Sequence, residues 1–232
     1  LPYQPKKKRA TPARPPRKPK RSRGKMVDTN NFFLGILIFF VLGIVVVLFL
    51  HSHQQEENLA AQQAASSQAA ARERQEKRDF IKKVAPEAVK LHQTYAVLPS
   101  VTIAQAILES NWGKSALSAK YNNLFGVKGS DPANTQEMTT QEYVNGEWQT
   151  VTARFRVYDS YAASILDHAQ LFVRGTTWNP QQYQHFLAAK DYHAAAQALE
   201  TDGYATDPEY AAKIVSLVET YKLDQYDQTS AN

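Results

Sequence analysis

Cysteine is absent from the 232 residues. Disulfides, a thiolate nucleophile and any thiolate-bound metal are therefore excluded, and the fold must rest on its own apolar core. The six histidines follow no ligand spacing, and the H-E-x-x-H pattern does not occur. A glycine-rich phosphate loop, a G-x-S-x-G elbow and a calcium loop are missing as well. No metal and no cofactor are expected.

Acids are almost missing from the first 31 residues, where eleven Lys and Arg stand against Asp28 alone, a balance of +10. The remaining 201 residues carry sixteen basic and twenty-one acidic side chains, or −5, so the basic character belongs to the tail. The body is acidic, which excludes a nucleic-acid-binding reading of the whole chain. The chain starts at Leu1 rather than at a methionine, which leaves room for residues before it.

Polar side chains are missing altogether from Phe32 to Leu50, FFLGILIFFVLGIVVVLFL. As a helix rising about 1.5 Å per residue, this run approaches the ~30 Å hydrocarbon core of a bilayer, and a single transmembrane helix over 32–50 is expected. HSHQQEEN follows it where a cleaved signal would show small residues, so an uncleaved anchor is expected. The basic tail over 1–31, a disordered arm, places the amino end in the cytoplasm by the positive-inside rule, with the body extracytoplasmic.

Glycine and proline are missing from residues 52–79, which are rich in Ala, Gln, Glu and Arg. A helical stalk over 51–79 is expected, extending about 40 Å. Its alanines form a poor seam, so at most a weak dimer through the stalk follows. From Phe80 the composition turns globular, and a domain over 80–226 is expected to be mainly helical. Helices are read at 80–95, 101–111, 160–174, 181–188, 191–200 and 207–222. TTQEYVNGEWQTVTARFRVYD, 139–159, reads instead as a β-hairpin about Asn145-Gly146. With a two-residue turn, Val144 faces Glu147, Tyr143 faces Trp148 and Glu142 faces Gln149.

In AQAILESNWGKS, 104–115, one acid ends an uncharged helical run. Helical spacing sets Glu109 near Thr102, Gln105 and Ala106, away from Ile103 and Ile107. A solvated glutamate on the outer face of an amphipathic helix fits that spacing as well as a catalytic acid does. Three features favour the acid: the last turn of a helix disfavours a negative charge, Trp112 can supply apolar surface, and the outer face lacks basic partners. Ser100 as N-cap, or a Thr102/Gln105 capping box, would open this helix. Glu142 on the hairpin is a second carboxylate candidate, and Glu137 a weaker one. Rings recur in loop contexts at Trp112, Tyr121, Phe125, Trp148, Trp178 and Tyr204. Such rings suit sugar recognition, although core packing accounts for any one of them.

AQAILESNWGKS followed by NNLFGVKG, QEYVNGEW, FRVYDSYAASILDH and GYATDPEYAAKI resembles the family-73 glycoside hydrolases over residues 85–225. These are mannosyl-glycoprotein endo-β-N-acetylglucosaminidase-like enzymes that cleave bacterial peptidoglycan. The resemblance implies an α+β, mainly α, lysozyme-like fold with a small β-hairpin lobe over a glycan groove. It implies Glu109 as catalytic acid, Glu142 as the second carboxylate and Tyr204 as an active-site tyrosine. Trp112, Asn123, Phe125, Trp148 and Tyr210 are then expected to bind substrate. The implied activity is hydrolysis of the β-1,4 bond after N-acetylglucosamine, with peptidoglycan glycan strands as the partner. A lytic transglycosylase and a non-catalytic wall-binding module are the alternatives.

Overall fold

The computed structural model describes residues 29–144 and 147–228, the side chains of 29–33, 35, 36, 141–144 and Trp148 apart. The basic tail up to residue 28 and the Asn145-Gly146 turn lie outside the described residues. The chain divides into two compact units, Leu1–Ala65 and Ser66–Asn232.

Helix α1 runs from Thr29 to Tyr95, so the expected span, stalk and first body helix form one continuous element. Its apolar residues from Leu37 to Leu50 are exposed. By length and composition this is a helix long and apolar enough to cross a membrane.

The second unit is built around α2, Pro99–Ser110. Ten of its twelve residues are buried, including Thr102, Gln105 and Ser110. Thr102 and Gln105 therefore do not form a solvent face, and the amphipathic reading is corrected at those positions; Glu109, next to the partly buried Leu108, is the exposed residue of the helix. Phe80, Val84, Ala88 and Leu91 of α1 contribute to the same core. So do α4 (Tyr161–Arg174), α6 (Tyr192–Thr201) and α7 (Tyr210–Tyr221), through Phe172, Leu199 and Ile214. Three short helices complete the unit: α3, Ala116–Tyr121; α5, Gln184–Ala188; and α8, Gln225–Gln228. Neither α3 nor α8 is legible in the sequence pattern.

The opening of α2 differs from expectation. Pro99 takes the first helical position, where its fixed φ and missing N–H are harmless, and Leu98 is the N-cap, without a capping side chain. Asp227 of α8 does the capping: its carboxylate accepts from the Ser100 N–H at 2.8 Å and the Ser100 hydroxyl at 2.7 Å. A residue 127 positions away thus satisfies the donors left open at the helix start.

The β lobe is a two-stranded antiparallel hairpin, β1 (Thr135–Val144) and β2 (Glu147–Arg156). Its register pairs Val144 with Glu147, Tyr143 with Trp148 and Glu142 with Gln149, as the sequence implies. Among its described side chains only Thr135 and Phe155 are buried. Glu137 forms an ion pair with Arg154 at 2.9 Å, directly across the ladder.

Candidate active site

The site starts from how α2 ends. Asn111, Trp112 and Gly113 all take left-handed φ, at 48°, 62° and 73°. Such a run is unfavourable for non-glycine residues, so the surroundings must hold it. Ser110 does so in part, its hydroxyl donating to the Ala106 carbonyl at 2.5 Å and accepting from the Gly113 N–H at 2.7 Å. A side chain at Gly113 would collide with Tyr161 and Phe80. The helix therefore stops one residue after Glu109.

Glu109 faces a groove of about 660 Å³ whose walls include Phe125, Gly126, His168, Tyr183, Tyr204 and Tyr210. A second section, about 310 Å³, runs under the hairpin past Leu117, Met138, Thr140 and Phe155. Glu109 and Gly126 line both sections. Gly126 has φ of +66° and open space around its Cα, so the floor beside the acid carries no side chain.

The carboxyl of Glu109 is accessible from the groove yet flanked closely by protein. Burial raises its pKa above the ordinary carboxylate value, opposed by a hydrogen bond from Tyr210. That phenol donates to Glu109 Oε1 at 2.7 Å. Gln105 in turn donates through Nε2 to Tyr210 Oη at 3.2 Å. With the phenol oxygen already accepting, its proton points at the carboxylate. Tyr210 and Tyr204 are both pushed well above the usual phenol range, chiefly by burial, and remain protonated donors.

Tyr204 stands in the groove wall with its ring 5.8 Å from that of Tyr210, and its hydroxyl meets His168 Nε2 at 3.0 Å. Phe125 stacks on His168, centroids 3.7 Å apart and planes within 4°. Glu109, Tyr204, Tyr210 and Phe125 are thus brought together, as expected of one site.

Trp112 is placed elsewhere. It packs on Phe80 and Tyr221 with Lys77 above its ring, outside the groove lining, so it is not the apolar surface beside Glu109. Asn123 touches the hairpin section, but its amide is engaged by backbone. It donates to the carbonyls of Val127 and Arg156, both at 2.9 Å, and accepts from the Val127 N–H at 3.0 Å. With both amide hydrogens committed, Asn123 shapes the loop that carries Phe125 and Gly126. The side chains of Glu142 and Trp148 lie outside the described ones. Position 142 follows 138 and 140 on β1 at the strand period of two.

Sequence reasoning missed Gln105 and His168. Gln105 was visible one helical turn before Glu109, at the i, i+4 spacing that puts both on one face. His168 closes the FRVYDSYAASILDH stretch, but nothing local connects it to Tyr204.

Residues 85–223 match the family described as mannosyl-glycoprotein endo-beta-N-acetylglucosaminidase. The chain is 52% identical over 158 residues to the exo-glucosaminidase LytG of Bacillus subtilis, covering 68% of this chain and 56% of that protein. A probable N-acetylmuramidase of Lactococcus lactis subsp. lactis is 41% identical over 155 residues, 66% of this chain and 35% of that one. The chain thus spans about half, and about a third, of these two relatives. Among solved structures, the catalytic domain of the autolysin Auto of Listeria monocytogenes superposes with a TM-score of 0.62 at 39% identity, covering 66% of this chain and 88% of that one.

Proposed function

The chain belongs to the glucosaminidase family of glycoside hydrolases, and from that premise we propose that it hydrolyses the β-1,4 bond after N-acetylglucosamine in peptidoglycan strands. The observation that carries this reading is Glu109 itself, a carboxyl open to the groove yet flanked closely enough by protein to raise its pKa, at the meeting point of two groove sections. An acid there has sugar-sized space on either side, as attack within a glycan strand requires.

Glu109 is the proton donor. Its Oε1 is occupied by the Tyr210 phenol, which leaves Oε2 to carry the proton to the departing oxygen. The raised pKa keeps that proton available at higher pH than an ordinary glutamate would. Phe125 and Tyr204 bind sugar in the larger section, Phe125 through its ring and Tyr204 through its hydroxyl.

Glu142 is the second carboxylate. From β1 it activates water for inversion, unless the substrate's own acetamido group attacks and configuration is retained. Support comes from the hairpin, whose strand β1 carries position 142 and lines the second groove section with Met138, Thr139 and Thr140. The enzyme acts outside the cytoplasm, anchored by the apolar segment of α1 and reaching the wall on its helical continuation. The length and apolar composition of α1 support this, as does the wall-lytic character named for the relatives.

A second reading has its own support, because the Lactococcus relative is named a muramidase and would cleave the other glycosidic bond. The test is reducing-end analysis of peptidoglycan digested by the full chain and its Glu109→Gln variant. N-acetylglucosamine ends that vanish with Glu109→Gln support the proposal. Muramic acid ends favour the second reading, anhydro-muramyl ends indicate a lytic transglycosylase, and no cleavage by the wild type indicates a binding module.

A further inference from the structure

Two buried polar atoms lack a hydrogen-bond partner among the described residues: Gln105 Oε1 and His168 Nδ1. Unpartnered buried polar atoms are uncommon and call for a reason. Both belong to side chains whose other polar atom meets a phenol oxygen of the groove, Tyr210 for Gln105 and Tyr204 for His168. In the first pair the consequence is visible: the amide donates to the phenol oxygen, and the phenol proton goes to Glu109.

The tautomer of His168 follows from the same reasoning. The ring is 1% exposed, between the stacked Phe125 and the edge of Phe172. Burial lowers its pKa to about 3, and the neighbouring Asp167 opposes this only weakly, its carboxylate being bonded to Arg156, Tyr158 and Arg174. A neutral ring has one N–H. On Nδ1 that hydrogen would be a buried donor without an acceptor, costlier than a bare lone pair. The hydrogen therefore sits on Nε2 and is donated to Tyr204 Oη.

We propose that His168 is a positioning residue: by donating Nε2–H to Tyr204 Oη, it turns the Tyr204 hydroxyl proton into the groove, toward an uncharged oxygen of the glycan. Both residues belong to the groove wall, Tyr204 partly exposed and His168 1% exposed with its Nε2 on the Tyr204 hydroxyl. The acceptor class follows from the donor: a phenol held protonated hydrogen-bonds a carbonyl or hydroxyl oxygen but does not protonate it. By stacking on Phe125, His168 also sets the ring plane of that groove residue. The inference rests on the glycan reading of the groove.

The test uses the full chain in detergent and two readouts. Nitrogen-15 histidine spectra of the wild type at pH 7 should show His168 with Nε2 protonated and Nδ1 bare; an Nδ1–H tautomer overturns the proposal. In kinetics on peptidoglycan, Tyr204→Phe and His168→Leu should each lower kcat about ten-fold, the size of one lost hydrogen bond. Their combination should be no slower than Tyr204→Phe alone, and His168→Gln, whose amide restores an N–H near the Nε2 position, should recover most of the rate. Additive losses, or a His168→Gln rate as low as that of His168→Leu, would mean that the histidine does not act through the phenol. If His168→Leu does not fold, His168→Gln against Tyr204→Phe completes the comparison. A wild type inactive on peptidoglycan sinks the glycan reading while leaving the tautomer result in place.

Discussion

The two carboxylates that the sequence singles out sit on opposite kinds of structure. Glu109 ends a helix with ten of twelve residues buried, whereas Glu142 belongs to a hairpin in which only Thr135 and Phe155 are buried among the described side chains. Shifting α2 would disturb contacts with α6, α7 and α8 together, while moving the hairpin gives up far less buried surface. A proton donor profits from the first situation, because its pKa is set by surroundings that must not change. A residue that meets water or substrate across a groove tolerates the second.

Breaking that contrast is a matter of substitution. The largest effect is expected from Glu109→Gln, which removes the proposed proton donor and should lower turnover by about 10²–10⁴-fold. The same change should raise the melting temperature at neutral pH. The sign follows from the raised folded pKa: ionised Glu109 costs stability as pH rises through that value, and a neutral amide does not. A melting temperature that falls would show that the carboxylate is better solvated than its flanks imply.

Core truncation separates the lobes next. Ile103→Ala in α2, at a fully buried position, should cost about 2–5 kcal/mol, and Val151→Ala in β2 less than about 1 kcal/mol. Urea unfolding of the two variants compares them directly, and equal losses would erase the distinction.

Asp227→Ala should cost about 1–3 kcal/mol, because α2 loses the side-chain cap that Asp227 supplies from outside the helix. Its activity should fall little at temperatures where the protein stays folded. Tyr210→Phe should show the most specific effect, in the pH dependence of the kinetics. Without the phenol donor the Glu109 anion loses a stabilising bond, so its pKa climbs further. The alkaline limb of the pH–rate profile should move to higher pH, and a shift to lower pH would contradict the assigned donor direction.

How much of this was legible in the sequence varied with the range of the interaction. The hairpin register could be read from Asn145-Gly146 and a period of two, because a two-residue turn fixes every pairing by local geometry. The apolar run, the longer helices and the position of Glu109 in a last turn were legible for the same reason, whereas the short α3 and α8 were not. Trp112 was misplaced because the chain turns left-handed at Asn111, which sends the indole to Phe80 and Tyr221 rather than toward Glu109. That the Asn123 amide donors are committed to Val127 and Arg156 cannot be seen in a motif.

By itself, the sequence determined the long apolar helix, the acidic body, the absence of thiol chemistry and the order of motifs that marks the family. These are local or compositional properties, insensitive to what packs where. Tertiary structure decided that Thr102 and Gln105 are buried while Glu109, on the same helix, stays exposed to the groove. It also decided that Asp227 caps α2, that Tyr210 holds Glu109 from 101 positions away, and that His168 meets Tyr204. The pKa of a carboxyl depends on what excludes water from it and what donates to it. At Glu109 both come from segments far along the chain.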